Sequence, residues 1–133
     1  MRDAGLSPRI ANHERYVRDD EHVDECRAML SGDGRPTAVL VYGDRDLSSL
    51  LCAAAELKWS VPRDLSVVVF HAGELFAGGK HISIVPVPTE QMGRRAVAML
   101  MRKIESPNEP CAPEAVAYES ITRETVAPPA GGA

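Results

Sequence analysis

Apolar residues recur along the chain in two alternating patterns, one typical of helices and one typical of strands. Over residues 20–30 they recur at helical spacing, which predicts a short amphipathic helix capped by Asp19 or Asp20. The run Thr-Ala-Val-Leu-Val-Tyr over residues 37–42 is unbroken and of strand length. Such a run predicts a strand of a parallel sheet that is covered on both faces.

A second helix and a second strand follow. Asp44 stands at the predicted start of this helix, whose buried stripe repeats at helical spacing and consists of Leu47, Leu50, Leu51, Ala54 and Leu57. The apolar run over residues 65–70 then predicts another buried strand. Residues 71–81 contain several glycines and predict a loop, and residues 82–85 predict a short strand that Pro86 ends.

The last part of the chain begins with its longest predicted helix, over residues 89–104 with Thr89 as the cap. Its one-sided apolar stripe consists of Met92, Ala96, Val97, Leu100, Met101 and Ile104. Residues 115–122 alternate in part as a strand does. The Pro-, Ala- and Gly-rich residues 127–133 predict a disordered tail.

The order of these elements predicts an α/β fold. Strand, helix and strand occur in succession twice, which is typical of right-handed crossovers in a mostly parallel sheet flanked by helices. With 133 residues, of which 44% are hydrophobic, the chain has room for one core. We therefore expect a single domain or a part of one.

Composition excludes some functions and locations. The formal net charge of −4 argues against a chain that itself neutralises nucleic-acid phosphates. Three widely spaced cysteines fit a reducing compartment better than a disulfide framework. Because the chain has neither a signal-like apolar start nor a run of about 18 apolar residues, we expect a cytoplasmic protein without membrane contact.

Five segments of the chain carry a family resemblance. Residues 35–44 read Arg-Pro-Thr-Ala-Val-Leu-Val-Tyr-Gly-Asp, and residues 61–70 read Val-Pro-Arg-Asp-Leu-Ser-Val-Val-Val-Phe. Ile-Ser-Ile-Val follows at 82–85, Glu-Gln-Met-Gly-Arg-Arg-Ala at 90–96, and Thr-Arg-Glu-Thr-Val-Ala-Pro-Pro at 122–129. In this order and spacing the chain resembles the carboxy-terminal part of the effector-binding domain of the lactose-repressor (LacI/GalR) family.

This resemblance implies a type I periplasmic-binding-protein-like fold, in which two Rossmann-like lobes close on a small, sugar-like effector. Residues 1–126 would be a partial effector-binding and dimerisation domain, mainly its carboxy-terminal subdomain, and the helix over residues 89–104 would belong to the other subdomain. The resemblance implies a homodimer, in which some apolar residues of the Leu47–Leu57 helix would face the partner. DNA would be contacted only through a headpiece that this chain lacks.

Four residues are the candidate ligand contacts. Asp44 and His71 follow predicted strands, and ligands of parallel α/β sheets bind beyond the carboxyl ends of strands. The resemblance implies a hydroxyl-binding carboxylate at Asp44 and places His71 where the family carries an aspartate. Leu40 falls where relatives place a stacking aromatic residue, and Tyr42 points to the same face of the strand. The plainer alternatives are helix capping for Asp44, core packing for Leu40 and a solvated loop for His71.

Other functions stay open as alternatives. The chain could be a stand-alone α/β interaction module or a degenerate ligand-binding module, and an enzyme would have to use His71 with Asp44 as an acid/base pair. We expect no enzyme and no cofactor, since the sequence has neither a Gly-x-Ser-x-Gly elbow nor a phosphate-binding glycine loop. His22 and Cys26 stand four residues apart and could share a metal ion, but an ordinary amphipathic helix is favoured.

Overall fold

The computed structural model describes residues 18–117 and 119–129. The helices and strands of this part of the chain are α1 (Asp19–Ser31), β1 (Ala38–Tyr42), α2 (Asp44–Glu56), β2 (Ser66–His71), β3 (Phe76–Ala77), β4 (Lys80–His81), β5 (Ser83–Pro86) and α3 (Thr89–Glu105). The α/β class predicted from the order of the patterns is confirmed. The predictions for the first seventeen residues lie outside the described residues.

A parallel sheet with the strand order β1-β2-β5 forms the centre of the fold. Val41 pairs with Val69, and Val69 pairs with Ile84 in the next strand, so these three side chains project to the same side. The glycine-containing loop was predicted without structure, but it carries the short antiparallel hairpin of β3 and β4.

One face of the sheet carries the core. α1 packs against α2, α2 contacts β1, and the residues buried between these helices and the sheet are Leu30, Val41, Leu47, Leu50, Ala53, Ala54, Leu65, Val67, Val69 and Ile82. The predicted stripe of α2 is confirmed as a buried stripe. Leu47 and Leu50 are covered within this chain, and Leu51 and Leu57 are half-buried against the same core. That some apolar residues of this helix face a partner stays a prediction.

The opposite face of β1 is exposed, so the prediction of a strand covered on both faces is wrong in this structure. Leu40 is 57% and Tyr42 is 79% exposed, whereas Val41 between them is 6% exposed. An unbroken apolar run cannot tell one covered face from two, because every position is apolar in both cases. No helix in the described part of the chain covers this face.

The residues predicted as helix caps lie instead in the first turn of each helix. The N-cap residues are Arg18, Gly43 and Pro88, and none of these three makes a side-chain capping hydrogen bond. Asp19, Asp20 and Asp44 are therefore first-turn acidic residues. There they interact favourably with the positive end of the helix dipole.

We call α1, α2 and the three-stranded sheet the body, and α3 with residues 106–117 the arm. All residues of α3 are described, and none of them is buried. Most of its predicted apolar stripe is exposed, at Met92, Val97, Leu100, Met101 and Ile104. The helix is connected to the rest of the arm by Arg102, whose Nη2 donates to Glu114 Oε1 at 2.6 Å.

None of the described helices has the length and apolar character that a membrane span requires.

After the arm, the chain returns to the body. Of the predicted strand over residues 115–122, the described residues form one antiparallel bridge, between Ile121 and Ile84. Thr125 is buried; its Oγ1 accepts a hydrogen bond from the Ser83 N–H and donates one to the Val67 carbonyl. Within the segment predicted as a disordered tail, Ala127 is hydrogen-bonded to Ser66, and residues 130–133 lie outside the described residues.

Candidate functional site

The turn between β1 and α2 fixes the position of Asp44. Gly43 has φ 92° and ψ 172°, a backbone conformation that is essentially restricted to glycine. No atom lies within 4 Å of a Cβ built at this position, so the backbone and not the available space requires glycine here. Asp44 follows directly as the first residue of α2, and its side chain is 66% exposed.

His71 meets Asp44 at the carboxyl edge of the sheet. The two residues follow neighbouring parallel strands, and His71 Nε2 lies 3.3 Å from Asp44 Oδ1. On the other side of the ring, His71 Nδ1 lies 2.8 Å from the Gly73 carbonyl oxygen. Asp44 is the first residue of α2, after the N-cap residue Gly43, and its carboxylate faces the His71 imidazole.

Leu40 and Tyr42 lie on the exposed face of the sheet that leads to this edge. The Tyr42 ring contacts the Phe70 ring at a centroid distance of 6.1 Å and an interplanar angle of 51°. Leu40 is exposed and does not pack in the core, which removes its plainer alternative. The structure thus brings Asp44 and His71 together and places Leu40 and Tyr42 on one open surface.

No enclosed cavity surrounds these residues in the described part of the chain. A cleft of about 240 Å³ lies in the arm, where Arg102, Lys103 and Cys111 are among its lining residues. A much smaller hollow lies beside the hairpin, next to His81 and Arg123. The four candidate residues therefore form an open surface, which can offer at most one wall of a binding site.

The chemistry of this surface suits the recognition of hydroxyl groups. A carboxylate accepts up to four hydrogen bonds, and a neutral imidazole offers one donor and one acceptor. An exposed aromatic ring such as that of Tyr42 can cover an apolar ligand face. The Asp44–His71 pair also satisfies the geometry of an acid/base pair.

The alternative of a metal site on α1 finds no third ligand. His22 is buried and Cys26 is half-buried. Burial, with smaller contributions from the Asp46 and Glu25 carboxylates, raises the pKa of the Cys26 thiol to about 11. Within residues 18–117 and 119–129, no three His, Cys, Asp or Glu side chains form a group that could hold a metal ion.

Sequence reasoning missed two features of the site. Phe70 was read as part of a buried strand, but it is half-buried and contacts the Tyr42 ring. The parallel register that pairs Tyr42 with Phe70 carries the signal for this contact, since both residues are the last apolar positions of their strands. The contacts of Arg45 and Asp46 with α1 were also missed, because ion pairs between helices leave no periodic trace in a sequence.

Comparisons with known proteins place this chain in a family. Residues 1–126 match the family model for the periplasmic binding protein-like domain. The chain belongs to that family. Its parallel sheet and flanking helices agree with a lobe of that domain.

A more specific placement comes from relatives and solved structures. The HTH-type transcriptional repressor PurR of Pectobacterium carotovorum subsp. carotovorum (strain PC1) is 38% identical over 85 residues, which are 61% of this chain and 24% of the relative. A LacI family transcriptional regulator from Bifidobacterium animalis subsp. lactis superposes with a TM-score of 0.67 at 28% identity, over 84% of this chain and 41% of the other. The chain corresponds to part of the effector-binding domain of a LacI-type regulator.

A third comparison supports the fold alone. The dimeric Lac repressor with an 11-residue carboxy-terminal deletion superposes with a TM-score of 0.65 at 20% identity, over 84% of this chain and 41% of the other. The chain thus spans about a quarter of the curated relative's length and about two fifths of the solved structures.

Proposed function

We propose that this chain is the effector-sensing part of a LacI-type transcriptional regulator and that it binds a small, sugar-like molecule at the carboxyl edge of its sheet. The observation that carries the proposal is the 3.3 Å approach of His71 Nε2 to Asp44 Oδ1. These polar groups stand beyond the ends of neighbouring parallel strands, which is where α/β folds bind ligands. Tyr42 and Leu40 would line the same site from the exposed face.

The nature of the site residues supports a hydroxyl-bearing effector. The Asp44 side chain is two-thirds exposed and the His71 side chain is one-quarter exposed, so both can exchange solvent for ligand. His71 offers a single donor or acceptor on the ring nitrogen that faces the site, whereas a carboxylate at this position would offer two oxygens. This difference would favour effectors with fewer hydroxyl donors, or with an anionic group, over a fully hydroxylated sugar.

The arm supports a partial two-lobed domain. The apolar stripe of α3 is exposed at Val97, Leu100 and Ile104, as expected for a helix that belongs to the other subdomain. The body would be most of the carboxy-terminal subdomain. An effector between two lobes would favour the closed arrangement by its higher affinity for that arrangement.

Dimerisation and DNA control belong to the same proposal. A homodimer of the cytoplasmic regulator would couple effector binding to operator affinity, and DNA contact would come from a headpiece outside this chain. The net charge of −4 supports a separate DNA-binding segment, because this chain does not have the excess of Lys and Arg side chains that phosphate binding needs. Dimerisation of the chain itself is testable by analytical ultracentrifugation.

A thermal-shift screen of the purified chain tests the effector site. The compounds are sugars, sugar phosphates, nucleosides and carboxylic acids, each compared on the wild type, His71→Ala and Asp44→Asn. A ligand at one hundred times its Kd stabilises the native state by about 2.7 kcal/mol, which raises the melting temperature by several degrees. We expect at least one compound to give such a rise in the wild type and in neither site variant.

The matched control is His81→Ala. This histidine is exposed on the hairpin, where its ring contacts Phe76 at 5.1 Å, outside the proposed site. His81→Ala should keep the full ligand-induced rise. A rise that persists in His71→Ala would place the ligand elsewhere, and a folded wild type that responds to no compound would favour the alternative of an interaction module or a degenerate site.

A further inference from the structure

Three successive residues in the first turn of α2 contact side chains of other elements. Asp44 faces His71, as described above. Arg45 Nε donates a hydrogen bond of 2.8 Å to Asp19 Oδ1 of α1. Asp46 Oδ1 lies 3.8 Å from His22 Nδ1, also of α1, a polar contact slightly beyond hydrogen-bond distance. The turn that carries the candidate ligand carboxylate is thus connected to α1 by its next two residues.

These contacts differ in burial. The His22 side chain is 5% exposed and the Asp46 side chain is 42% exposed, so their contact lies at the covered junction of the two helices. The Asp46 carboxylate also contributes, after burial, to the raised pKa of Cys26 one turn further along α1. Arg45 with Asp19 closes the same junction on its solvent side, where Asp19 is 81% exposed.

Within the body, the first turn is also fixed by Leu47, which is 2% exposed in the core, and by Ser48 Oγ, which donates a hydrogen bond of 2.9 Å to the Asp44 carbonyl oxygen. Gly43 provides no side-chain cap, and the turn before Asp44 depends on a conformation that glycine adopts at no steric penalty. A polar site needs its first contacts held to within about 0.5 Å by neighbouring groups. The contacts from α1 add two side-chain contacts, at the residues directly after Asp44.

We propose that Asp46 and Arg45 are positioning residues that, through His22 and Asp19 of α1, hold Asp44 against His71. The proposal rests on the proposed function insofar as the Asp44–His71 pair is the effector site. It assigns the amino-terminal end of α1 a role in the geometry of that site, although no residue of α1 belongs to it. Asp46→Asn and Arg45→Gln should therefore change the environment of the His71 ring, which neither side chain contacts.

The other end of the same helix pair provides a matched control. There, Arg27 of α1 pairs with Glu56 of α2 at 2.7 Å, and both side chains are about as exposed as those of Arg45 and Asp46. Glu56→Gln removes an ion pair between the same two helices, but at the last residue of α2, ten residues after Asp46. If these contacts only stabilised the helix pair, the variants at its two ends would have the same effect on the environment of the His71 ring.

The measurement is the position of the His71 ring signals in ¹H–¹³C NMR spectra of the full chain, assigned with His71→Ala. Asp44→Asn serves as the reference, since it removes the carboxylate that faces the ring. We expect Asp46→Asn and Arg45→Gln to move the His71 signals in the same direction as Asp44→Asn by a smaller amount. We expect Glu56→Gln to leave them at the wild-type position.

The proposal is overturned if Asp46→Asn and Arg45→Gln leave the His71 signals unmoved, or if Glu56→Gln moves them equally. If Asp46→Asn does not fold, Arg45→Gln decides, because its contact with Asp19 is exposed. The ring signals need no effector. If the variants show the expected shifts but the chain binds no compound in the thermal screen, the positioning role stands and the proposed function fails. If the chain binds a compound but the His71 signals do not move in the variants, the proposed function stands and the positioning role fails.

Discussion

α2 in the body and α3 in the arm have the same kind of amphipathic sequence but opposite surroundings. In α2, Leu47 and Leu50 are each 2% exposed, because α1 and the sheet cover the stripe. In α3, Leu100 and Ile104 are 60% and 62% exposed. Both helices repeat apolar residues three and four positions apart, so the pattern alone does not distinguish them.

The difference teaches what an amphipathic pattern specifies. Periodicity determines which side chains share a helix face, but the cover for that face comes from other elements. For α2 the cover is local in sequence, since α1 and β1 immediately precede it. For α3 the described part of the chain supplies no such cover. The arm therefore contributes little apolar burial to the stability of the body.

The largest expected effect is a contrast between leucine truncations in the two helices. Leu50→Ala removes a fully buried side chain, and we expect a loss of about 2–5 kcal/mol in the free energy of unfolding. Leu100→Ala removes an exposed side chain, and we expect a change within about 0.5 kcal/mol. Urea unfolding followed by circular dichroism measures both.

Equal losses for the two truncations would contradict the comparison. They would mean that the stripe of α3 is covered in solution, which a concentration-dependent unfolding midpoint would attribute to a second copy of the chain. Leu50→Ala with no measurable loss would show that the body is not the stabilising core.

Replacing a glycine by alanine should destabilise the body at Gly43 and stabilise the arm helix at Gly93. Gly43→Ala places a side chain at φ 92° and ψ 172°, and we expect a loss of about 1–3 kcal/mol in the stability of the body. Gly93 lies inside α3, and no atom is within 4 Å of a Cβ built there. We expect Gly93→Ala to favour the helix by about 0.8–1 kcal/mol, seen as increased helical signal in far-UV circular dichroism.

Either result can fail in an informative way. A neutral Gly43→Ala would mean that the turn adopts another conformation in solution, which would also move Asp44. A destabilising Gly93→Ala would indicate that another surface approaches α3 at this glycine too closely for a methyl group.

Most of the fold could be predicted from the sequence because its elements are local. Apolar runs and helical spacing predicted β1, β2, β5 and the three helices to within a few residues. The exposed face of β1 could not be predicted, because the run is apolar at every position. The contact of residues 119–127 with the sheet could not be predicted either, since it depends on separate contacts, such as the hydrogen bonds of the Thr125 hydroxyl and the bridge between Ile121 and Ile84, and not on a pattern.

The site was predictable in position more than in contact. Topology placed Asp44 and His71 at the same sheet edge, and the resemblance drew attention to Leu40 and Tyr42. The 3.3 Å approach of Asp44 to His71 depends on the conformation of Gly43 and on the register of β1 with β2. The sequence alone offered capping as the plainer role for Asp44, because an aspartate directly before an apolar helical stripe is typical of a helix cap.

The smallest expected effect compares two cysteines, Cys26 in the body and Cys111 in the arm. Burial, Asp46 and Glu25 raise the pKa of Cys26 from 9.0 to about 11, whereas the Cys111 side chain is exposed. At pH 8, a thiol with that pKa has about a hundredfold less thiolate than a thiol with the ordinary pKa of 9.0. The greater intrinsic nucleophilicity of its thiolate raises the alkylation rate again by about six- to tenfold. We expect iodoacetamide to alkylate Cys26 at least about tenfold more slowly than Cys111, measured by peptide mass spectrometry.

The same raised pKa predicts a pH dependence of stability with a definite sign. Between pH 9 and 11 the Cys26 thiol of the unfolded chain loses its proton while that of the folded chain keeps it, so the folded state binds more protons. The stabilising contribution is therefore present below pH 9 and is lost as the pH rises towards 11. Because lysines and tyrosines titrate in the same range, the informative quantity is the difference between wild type and Cys26→Ala. Two results would contradict this picture: a stability difference between wild type and Cys26→Ala that stays constant from pH 8 to 10.5, or equal alkylation rates of Cys26 and Cys111. Either result would mean that α1 does not stay packed against α2 and that Cys26 is as accessible to solvent as Cys111.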